Sequence, residues 1–498
     1  MRLIGSVLAI CCFTAIALVP TVSGQAPAGS ETVTINASAA AKPFAHIWEQ
    51  MFGSGRANLS LREDYRNDLK AVKAITGFQY VRFHAILDDE NGVYQEVNGN
   101  PIYNFSYVDQ IYDGLLANGV KPFVEISFMP RELAANLKPH PFWYKPLPSP
   151  PKDFQKWNAL IETFTKHLLD RYGRREVEQW YFEVWNEPNI DFWDGVPKQE
   201  TYFGLYDATA STIKKADPKL RVGGPATAQA AWVSAFLSHC VNNHIPFDFV
   251  STHIYGNENP VDVFGHQEPI ARKDMVGRAA KKVYDEVKAS AAPNTPIIWS
   301  EYNATYMTQQ QVTDSAFMGP WLANNIRECD GLADMMSYWT FSDVFEEQGV
   351  VKTPFYGGYG LIAERSIPKA AFNVFELLHR LGDRRLPVDS ENALVTRRKD
   401  GTIVLALWNY AEPGEAAGPK TFQLKVNGTS INHYRIQIVD PESGSALKAW
   451  KDMGSPVSPT LAQVQRLRQL SQMAPGKDES IATPIRIPAE GLAVLELQ

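Results

Sequence analysis

The sequence predicts an α/β protein in which a (β/α)8 TIM barrel is followed by an accessory C-terminal β-sandwich domain. Up to about residue 386, short apolar segments alternate with amphipathic helical patterns, as they do in a barrel of parallel strands. After that point the pattern changes to alternating apolar and polar residues joined by Gly, Pro and Asn turns. The 498 residues exceed the usual limit for one hydrophobic core, so two domains are expected.

Eight apolar runs are candidates for the barrel strands. They are residues 46–52, 79–84, 121–128, 179–185, 221–224, 247–253, 296–301 and 335–340. Helical patterns lie between several of them, at residues 107–118, 154–172, 202–216 and 273–289. Catalytic groups in such barrels lie at the C-terminal ends of the strands, here strands four and seven.

The β-sandwich prediction depends on short alternating segments near the C-terminus. They are residues 393–398, 402–408, 421–426, 435–439 and 492–497. Residues 32–36 alternate in the same way, and we expect them to join the sandwich as an edge strand. The predicted divisions are a signal peptide over 1–24, an N-terminal segment over 25–42 that contributes this strand, the barrel over 43–384, and the sandwich over 385–498.

The N-terminus has the pattern of a secretory signal peptide. Met1 and Arg2 precede an apolar run over residues 3–19, and small residues lead to a plausible cleavage point after Gly24. The run is shorter than most membrane-spanning helices, although a retained anchor is the alternative. We therefore expect a secreted or periplasmic protein whose mature form has no membrane partner. Only Cys240 and Cys329 remain in that form, so one optional disulfide is possible.

Composition excludes some classes of partner. A net charge of -7 and a pI near 5.9 give no reason to expect binding to nucleic acid or to an anionic membrane. Aromatic residues make up 11% of the chain, which is compatible with carbohydrate binding but also common in large cores. No spacing of Cys and His indicates a metal site, and we expect no cofactor.

Two glutamates are the most informative residues. Glu187, within Asn186-Glu187-Pro188, follows the fourth candidate strand, and Glu301 ends the seventh. A single glutamate after a strand is more often a loop residue or a charge at a helix N-terminus. Two of them at strand ends can face each other across one cleft, because those ends converge on one side of a barrel. A facing pair of carboxylates is the catalytic apparatus of a glycosidase.

From about Ala45 to the C-terminus the chain resembles glycoside hydrolase family 39, and within it the β-xylosidases. The resemblance depends on five blocks in the same order, at residues 80–84, 122–130, 182–189, 248–255 and 337–347. Asn-Glu-Pro alone would indicate only the wider clan of barrel glycosidases. The resemblance weakens in the loop over residues 257–272.

The resemblance implies that Glu187 is the general acid/base and Glu301 the nucleophile of a retaining reaction. Retention requires carboxyl groups about 5 to 5.5 Å apart. Tyr255 is expected to donate a hydrogen bond to Glu301, and His253, one alternation earlier, to point the same way. Asn186 is the expected partner of the sugar 2-hydroxyl.

The resemblance also implies a surrounding set of binding residues. Arg82 is expected to hold the carboxylate of the nucleophile, although a structural ion pair is an alternative, and Gly53 is expected to allow a close approach of the backbone. The remaining candidates would contact the sugar, with Glu347 preferred over Glu346 and with core packing as the alternative for the two Phe residues: His84, Trp339, Glu347, Glu346, Phe128 and Phe192.

One departure from the family pattern bears on specificity. Phe83 stands where close relatives have Gly, and we expect it to tighten the site against a hydroxymethyl group at C5 of the sugar. Pentopyranosides should then be preferred over hexopyranosides.

The predicted function is a retaining exo-glycosidase that removes terminal β-D-xylosyl residues from xylo-oligosaccharides. The alternatives within the family are an α-L-arabinosidase or mixed pentosidase and an α-L-iduronidase. The latter would need a cationic pocket, which the acidic segment 341–347 disfavours. A barrel that binds carbohydrate without catalysis is the non-enzymatic alternative. The expected partner is an oligosaccharide substrate, and a homo-oligomer is possible.

Overall fold

The computed structural model describes residues 29–498. The predicted signal peptide over residues 1–24 lies outside the described residues. Within residues 29–498, every helix is too short or too polar to cross a membrane.

The strands are numbered in chain order. They are β1 Ser30–Asn36, β2 Lys42–Pro43, β3 Met51–Gly53, β4 Tyr80–Phe83, β5 Tyr94–Val97, β6 Asn100–Tyr103, β7 Lys121–Ile126, β8 Tyr181–Val184, β9 Arg221–Thr227, β10 Phe249–Tyr255, β11 Ile297–Asn303, β12 Met335–Tyr338, β13 Ile362–Ala363, β14 Ile367–Pro368, β15 Arg384–Leu386, β16 Ala393–Arg397, β17 Ile403–Asn409, β18 Lys420–Asn427, β19 His433–Val439, β20 Lys477–Ser480, β21 Ile485–Ile487 and β22 Gly491–Leu497.

The α-helices are numbered in the same way. They are α1 Glu63–Ile75, α2 Ser106–Leu116, α3 Phe154–Tyr172, α4 Arg174–Val177, α5 Lys198–Ala216, α6 Val233–Asn243, α7 Pro260–Phe264, α8 Arg272–Ala289, α9 Gln310–Thr313, α10 Met318–Cys329, α11 Ala370–His379, α12 Leu447–Asp452 and α13 Leu461–Leu470.

Eight strands close into the predicted parallel barrel, in the order β3, β4, β7, β8, β9, β10, β11 and β12. The fold class predicted from the sequence is therefore confirmed. Strands such as β10 and β11 are buried along their whole length, because helices cover the outside and side chains fill the inside. The first strand is shorter than predicted: β3 begins at Met51, and most of residues 46–50 form turns.

Local sequence signals explain where the long helices begin and end. The side chain of Asp153 accepts hydrogen bonds from the backbone N–H groups of Gln155 and Lys156 at the start of α3. Gly173 stops the same helix with a φ of 81°, a conformation that glycine adopts without strain. The apolar side of α3 packs in the same hydrophobic core as the barrel strands, and the helix begins on the side of the barrel where the strands end.

Two further sheets follow the barrel. A seven-stranded sheet has the order β2, β15, β16, β17, β22, β19, β20, and a three-stranded sheet has the order β1, β18, β21. β1 pairs in parallel with β18 along its whole length. Apolar residues of both sheets, including Ile35, Leu405, Phe422 and Leu495, form one buried cluster. The division of the chain at residues 42/43 and 384/385 stays a prediction.

Helices α12 and α13 lie between β19 and β20, where the sequence analysis expected only strands. Their apolar residues Leu447, Trp450 and Leu467 pack against Phe355 and Ile367, which belong to the long excursion after β12. The accessory region therefore supports a loop system that begins at the barrel rim. Cys240 and Cys329 are both buried and unpaired, so the optional disulfide does not form.

Candidate active site

A cavity of about 420 Å³ lies at the C-terminal ends of the barrel strands. Both Glu187 and Glu301 line it, as expected for residues at the ends of strands four and seven. The other lining side chains are His84, Phe142, Asn186, Ile190, Phe192, Ala228, Gln229, Tyr255, Glu258, Asn259, Asp262, Tyr306, Trp339, Glu347, Gln348 and Tyr359.

The two catalytic candidates face each other at short range. A carboxylate oxygen of Glu187, one of Glu301 and a ring nitrogen of His253 all lie within 4.8 Å of one another. Glu301 is part of β11, whereas Glu187 lies beyond the end of β8. The backbone N–H of Glu187 donates to the carbonyl of Ala226 at 2.8 Å. Carboxylate oxygens this close are in keeping with the short spacing of a retaining pair rather than with the wider gap that an inverting enzyme leaves for water.

Glu187 is in an environment that favours its protonated form. Burial and then the charge of Glu301 raise the pKa of Glu187 well above its usual value. Burial also holds the pKa of His253 well below its usual value, so its imidazole is neutral. Nδ1 of His253 lies 3.0 Å from Glu187, and Nε2 lies 3.1 Å from Oγ of Ser300. A protonated Glu187 can therefore donate to Nδ1 while Nε2–H donates to Ser300.

Glu301 accepts a hydrogen bond at each oxygen. The hydroxyl of Tyr255 donates to Oε2 at 2.5 Å, and Nη1 of Arg82 donates to Oε1 at 2.7 Å. The arginine supplies a counter-charge at the same time. Both expected contacts of Glu301 are thus present, and together they fix the orientation of its carboxylate.

Arg82 is completely buried beneath the cavity and is the centre of an ionic network. It donates to Glu183 at 2.6 Å and to Oδ1 of Asn186 at 2.9 Å, and its Nη2 lies 2.8 Å from Glu125 as an ion pair. Sequence reasoning gave no role to Glu125 or Glu183. The sequence could have indicated a role for them, because each is a carboxylate in a mostly apolar barrel strand, where an unpaired charge would be costly.

His84 connects this network to the cavity. Its Nδ1 lies 2.7 Å from Glu125 and its Nε2 lies 3.5 Å from Glu347. Burial alone would lower the pKa of His84, but the charge and hydrogen bond of Glu125, together with the charges of Glu347 and Glu301, outweigh burial and raise the pKa. Burial raises the pKa of Glu347 to about 8. His84 and Glu347 therefore present a cationic donor and a protonated carboxyl at one wall.

Glu346 and Glu347 point in different directions. Glu346 pairs with Arg62 at 2.7 Å and with Arg56 at 3.4 Å, and it does not line the cavity. Glu347 lines the cavity, and its contact with a sugar hydroxyl stays a prediction. Trp339 forms part of the cavity wall, and its indole packs directly on Gly53, where no side chain is present.

Two expected positions, those of Phe128 and Phe83, need correction. Phe128 lies behind Phe192, with ring centroids 6.1 Å apart, and does not reach the cavity, so Phe192 forms that part of the wall. His253 points toward Glu301 as expected, with Nδ1 3.7 Å from Oε1, but it is completely buried and lies closer to Glu187, at 3.0 Å. Phe83 faces outward and stacks on Tyr112 of α2, because it alternates with the inward-facing Arg82.

An eight-stranded parallel barrel with two facing glutamates at its strand ends defines a (β/α)8 glycoside hydrolase. The chain belongs to glycosyl hydrolases family 39, whose family model matches residues 31–489.

Three relatives illustrate the similarity. A beta-xylosidase of Geobacillus stearothermophilus is 38% identical over 467 residues, which cover 91% of this chain and 90% of that protein. A beta-xylosidase of Caldicellulosiruptor saccharolyticus is 34% identical over 451 residues, which cover 89% and 91%. The crystal structure of a monomeric beta-xylosidase from Caulobacter crescentus CB15 matches with a TM-score of 0.85 at 33% identity, covering 94% of this chain and 99% of that one.

Proposed function

We propose that this protein is a retaining exo-β-xylosidase that removes terminal β-D-xylosyl residues from xylo-oligosaccharides. The observation that carries the proposal is the pair Glu187 and Glu301, held within 4.8 Å in one cavity but in different environments. Glu187 has a raised pKa and the neutral His253 beside it, whereas Glu301 is paired with Arg82. Such a difference separates an acid from a nucleophile.

In the proposed first step, a carboxylate oxygen of Glu301 attacks C1 of the xylosyl unit while the bond from C1 to the glycosidic oxygen breaks. Glu187 gives its proton to that departing oxygen. A xylosyl ester of Glu301 results. In the second step water attacks C1, its proton passes to Glu187, and the ester bond breaks to release β-xylose. The anomeric configuration is thus retained after two inversions.

Asn186 supports the proposed binding of the sugar. Its side-chain oxygen is occupied by Arg82, which leaves the amide N–H groups directed as donors beside Glu187. We propose that they bond the 2-hydroxyl, an interaction that strengthens as positive charge develops at C1. Trp339 offers an aromatic face, and His84 and Glu347 offer polar groups to the other hydroxyls.

The charge of the cavity disfavours a uronic acid substrate. Among the described residues that line the cavity, acidic groups are numerous and neither Lys nor Arg occurs. Arg82 lies below the surface and is already paired with Glu125, Glu183 and Glu301. His84 is the cationic group at the wall but is already paired with Glu125, so an anionic sugar would meet more repulsion than attraction. An α-L-arabinosidase has no such electrostatic penalty and remains the second candidate within the proposal.

Export is also part of the proposal and is supported by the signal-peptide pattern over residues 1–24. N-terminal sequencing of the protein from its native host should then begin after Gly24. A protein that keeps residues 1–24 and is found in the membrane fraction would support the retained anchor instead.

A panel of aryl glycosides tests the activity. The protein should hydrolyse aryl β-D-xyloside with a higher kcat/KM than aryl β-D-glucoside, α-L-arabinosides or α-L-iduronide. NMR should show β-xylose as the first product. Preference for another sugar, or α-xylose as the first product, would overturn the proposal, and an absence of turnover on every substrate would favour a binding protein.

Since Phe83 faces helix α2, a preference for pentoses must come from the cavity wall rather than from that residue.

A further inference from the structure

Gln229 and Glu258 line the catalytic cavity beside Glu187 and have no role in the steps above. Gln229 belongs to the short irregular turn Ala228–Ala230 after β9, and Glu258 follows β10. Glu258 lies in the loop 257–272, where the family resemblance weakens. A specific property of this chain can therefore be sought there.

The two side chains form a pair. Nε2 of Gln229 donates to Oε2 of Glu258 at 3.3 Å. The backbone N–H of Glu258 donates to the carbonyl of Tyr255 at 3.1 Å, which fixes the start of its loop to the end of β10. Tyr255 also bonds Glu301, so the pair is anchored close to the nucleophile.

The turn that carries Gln229 is also joined to the loop of the acid. Oδ1 of Asn189 accepts from the N–H of Ala228 at 2.9 Å, and Nδ2 of Asn189 donates to the carbonyl of the same residue at 3.1 Å. Asn189 follows Glu187 by two positions. The reciprocal bonds therefore hold Gln229 at a fixed position relative to Glu187.

The backbone of this turn is strained. Ala226, Gln229, Ala230 and Trp232 have φ values of 53°, 63°, 52° and 62°, although none of them is glycine. Non-glycine residues are uncommon in this region and are concentrated in functional segments. This strained turn presents the amide of Gln229 to the cavity.

The location relative to the acid indicates which part of the substrate these residues meet. Glu187 gives its proton to the departing oxygen, so the leaving group must lie on the side of Glu187. Glu258 and Gln229 line the same cavity as Glu187, and the turn of Gln229 is bonded to Asn189 in the loop of the acid. Burial raises the pKa of Glu258 to about 7, so below neutral pH its carboxyl can donate as well as accept.

We propose that Gln229 and Glu258 bind the hydroxyl groups of a sugar leaving group and determine the preference for xylo-oligosaccharides over aryl xylosides. This inference rests on the proposed β-xylosidase function. A xylosyl leaving group has hydroxyls that an amide and a carboxyl can bond, whereas a nitrophenyl group has none. The site is thus specific for a hydroxylated, uncharged group.

The test compares xylobiose with 4-nitrophenyl β-xyloside for wild type, Gln229→Ala and Glu258→Ala. The measured quantity is the ratio of the two kcat/KM values, which does not depend on the fraction of enzyme that is folded. Each substitution should lower the ratio of xylobiose to aryl xyloside about tenfold. Glu268→Gln is the matched control, because Glu268 lies in the same loop, pairs with Arg278 at 2.8 Å and does not line the cavity. It should leave the ratio unchanged.

An unchanged ratio in Gln229→Ala and Glu258→Ala would overturn the inference, including the case in which both activities fall equally. That result would leave the proposed function intact, because wild type would still cleave xylosides. If wild type cleaved neither substrate, the proposed function itself would fail, and the inference with it.

Discussion

Gly53 and Trp339 pack so closely that a Cβ atom at residue 53 would overlap the six-membered ring of the indole. Gly53 ends β3 and Trp339 follows β12, and these strands are neighbours in the barrel. Trp339 also lies 4.9 Å, between ring centroids, from His84. The absence of a side chain at residue 53 therefore sets the position of the aromatic wall.

Gly53→Ala should displace Trp339 and lower kcat/KM on aryl xyloside about tenfold or more, because a small misplacement at an active site is costly. The measurement is steady-state kinetics with a melting curve. Gly204→Ala is the matched control, since nothing lies within 4 Å of a Cβ built at Gly204 and the residue is within α5. Equal kinetics for the two variants would contradict this role of Gly53.

Glu187→Ala should affect substrates according to their leaving groups. Xylobiose needs protonation of its departing oxygen and should lose several orders of magnitude in kcat, whereas an activated nitrophenyl xyloside should lose much less. Activity of the wild type requires protonated Glu187, so it should fall as the pH rises through the raised pKa of that residue. This basic limb of the pH profile should disappear in the variant. Equal losses on both substrates would show that another group is the acid.

The sequence predicted the parts of the site that follow from strand order. Glu187 and Glu301 were predictable because parallel strands end on one side of a barrel, and Arg82 and Tyr255 reach Glu301 as the family resemblance implied. Phe83 was misplaced although simple alternation with Arg82 would have turned it outward. Whether Phe83 faces into or out of the barrel depends on the alternation of side chains along its strand, and a motif alone does not show it.

Other residues depended on irregular structure that a pattern cannot show. His253 lies on the side that alternation with Tyr255 predicted, 3.7 Å from Glu301, but its closer contact with Glu187 at 3.0 Å joins two strands and is not visible in the pattern of one. Phe128 lies beyond the end of β7. Gln229 and Glu258 come from loops, where sequence periodicity carries no information about side-chain direction.

Lys369 should be essential for stability. It is completely buried and lies 2.6 Å from both Asp314 and Asp343, and it donates to the carbonyl of Gly358 at 2.8 Å. Lys369→Met would leave two buried carboxylates without their cation, which typically costs about 3 to 5 kcal/mol. Urea unfolding should show this loss, and adding Asp314→Asn and Asp343→Asn should recover part of it. A loss below about 1 kcal/mol would contradict the role of this ion pair.

The contact of His379 with Glu49 should make stability depend on pH. Nδ1 of His379 lies 2.8 Å from Oε2 of Glu49, and this hydrogen bond raises the pKa of His379. A raised histidine pKa gives stability that is fully present below the unfolded value and is lost as the pH rises through the folded value. Burial opposes ionisation of Glu49, but its bonds to His379 and His46 outweigh burial and lower its pKa. That contribution is lost as the pH falls through the lowered value.

His379→Gln should therefore reduce Tm more at about pH 6 than at about pH 9. Scanning calorimetry at both values measures the difference. His433→Gln is the control, because His433 is exposed and contacts the amide of Asn432. A reduction for His379→Gln that is the same at both pH values would contradict the contribution of the ion pair.

The proposed reaction passes through a xylosyl ester of Glu301. A 2-deoxy-2-fluoro-β-xylosyl fluoride should trap this ester, because the fluorine slows both steps and the good leaving group restores the first. Mass spectrometry of a protease digest should then locate one added fluoroxylosyl group on the peptide that contains Glu301, and Glu301→Ala should take up none. A label on a different carboxylate, or turnover to α-xylose without any label, would contradict the account.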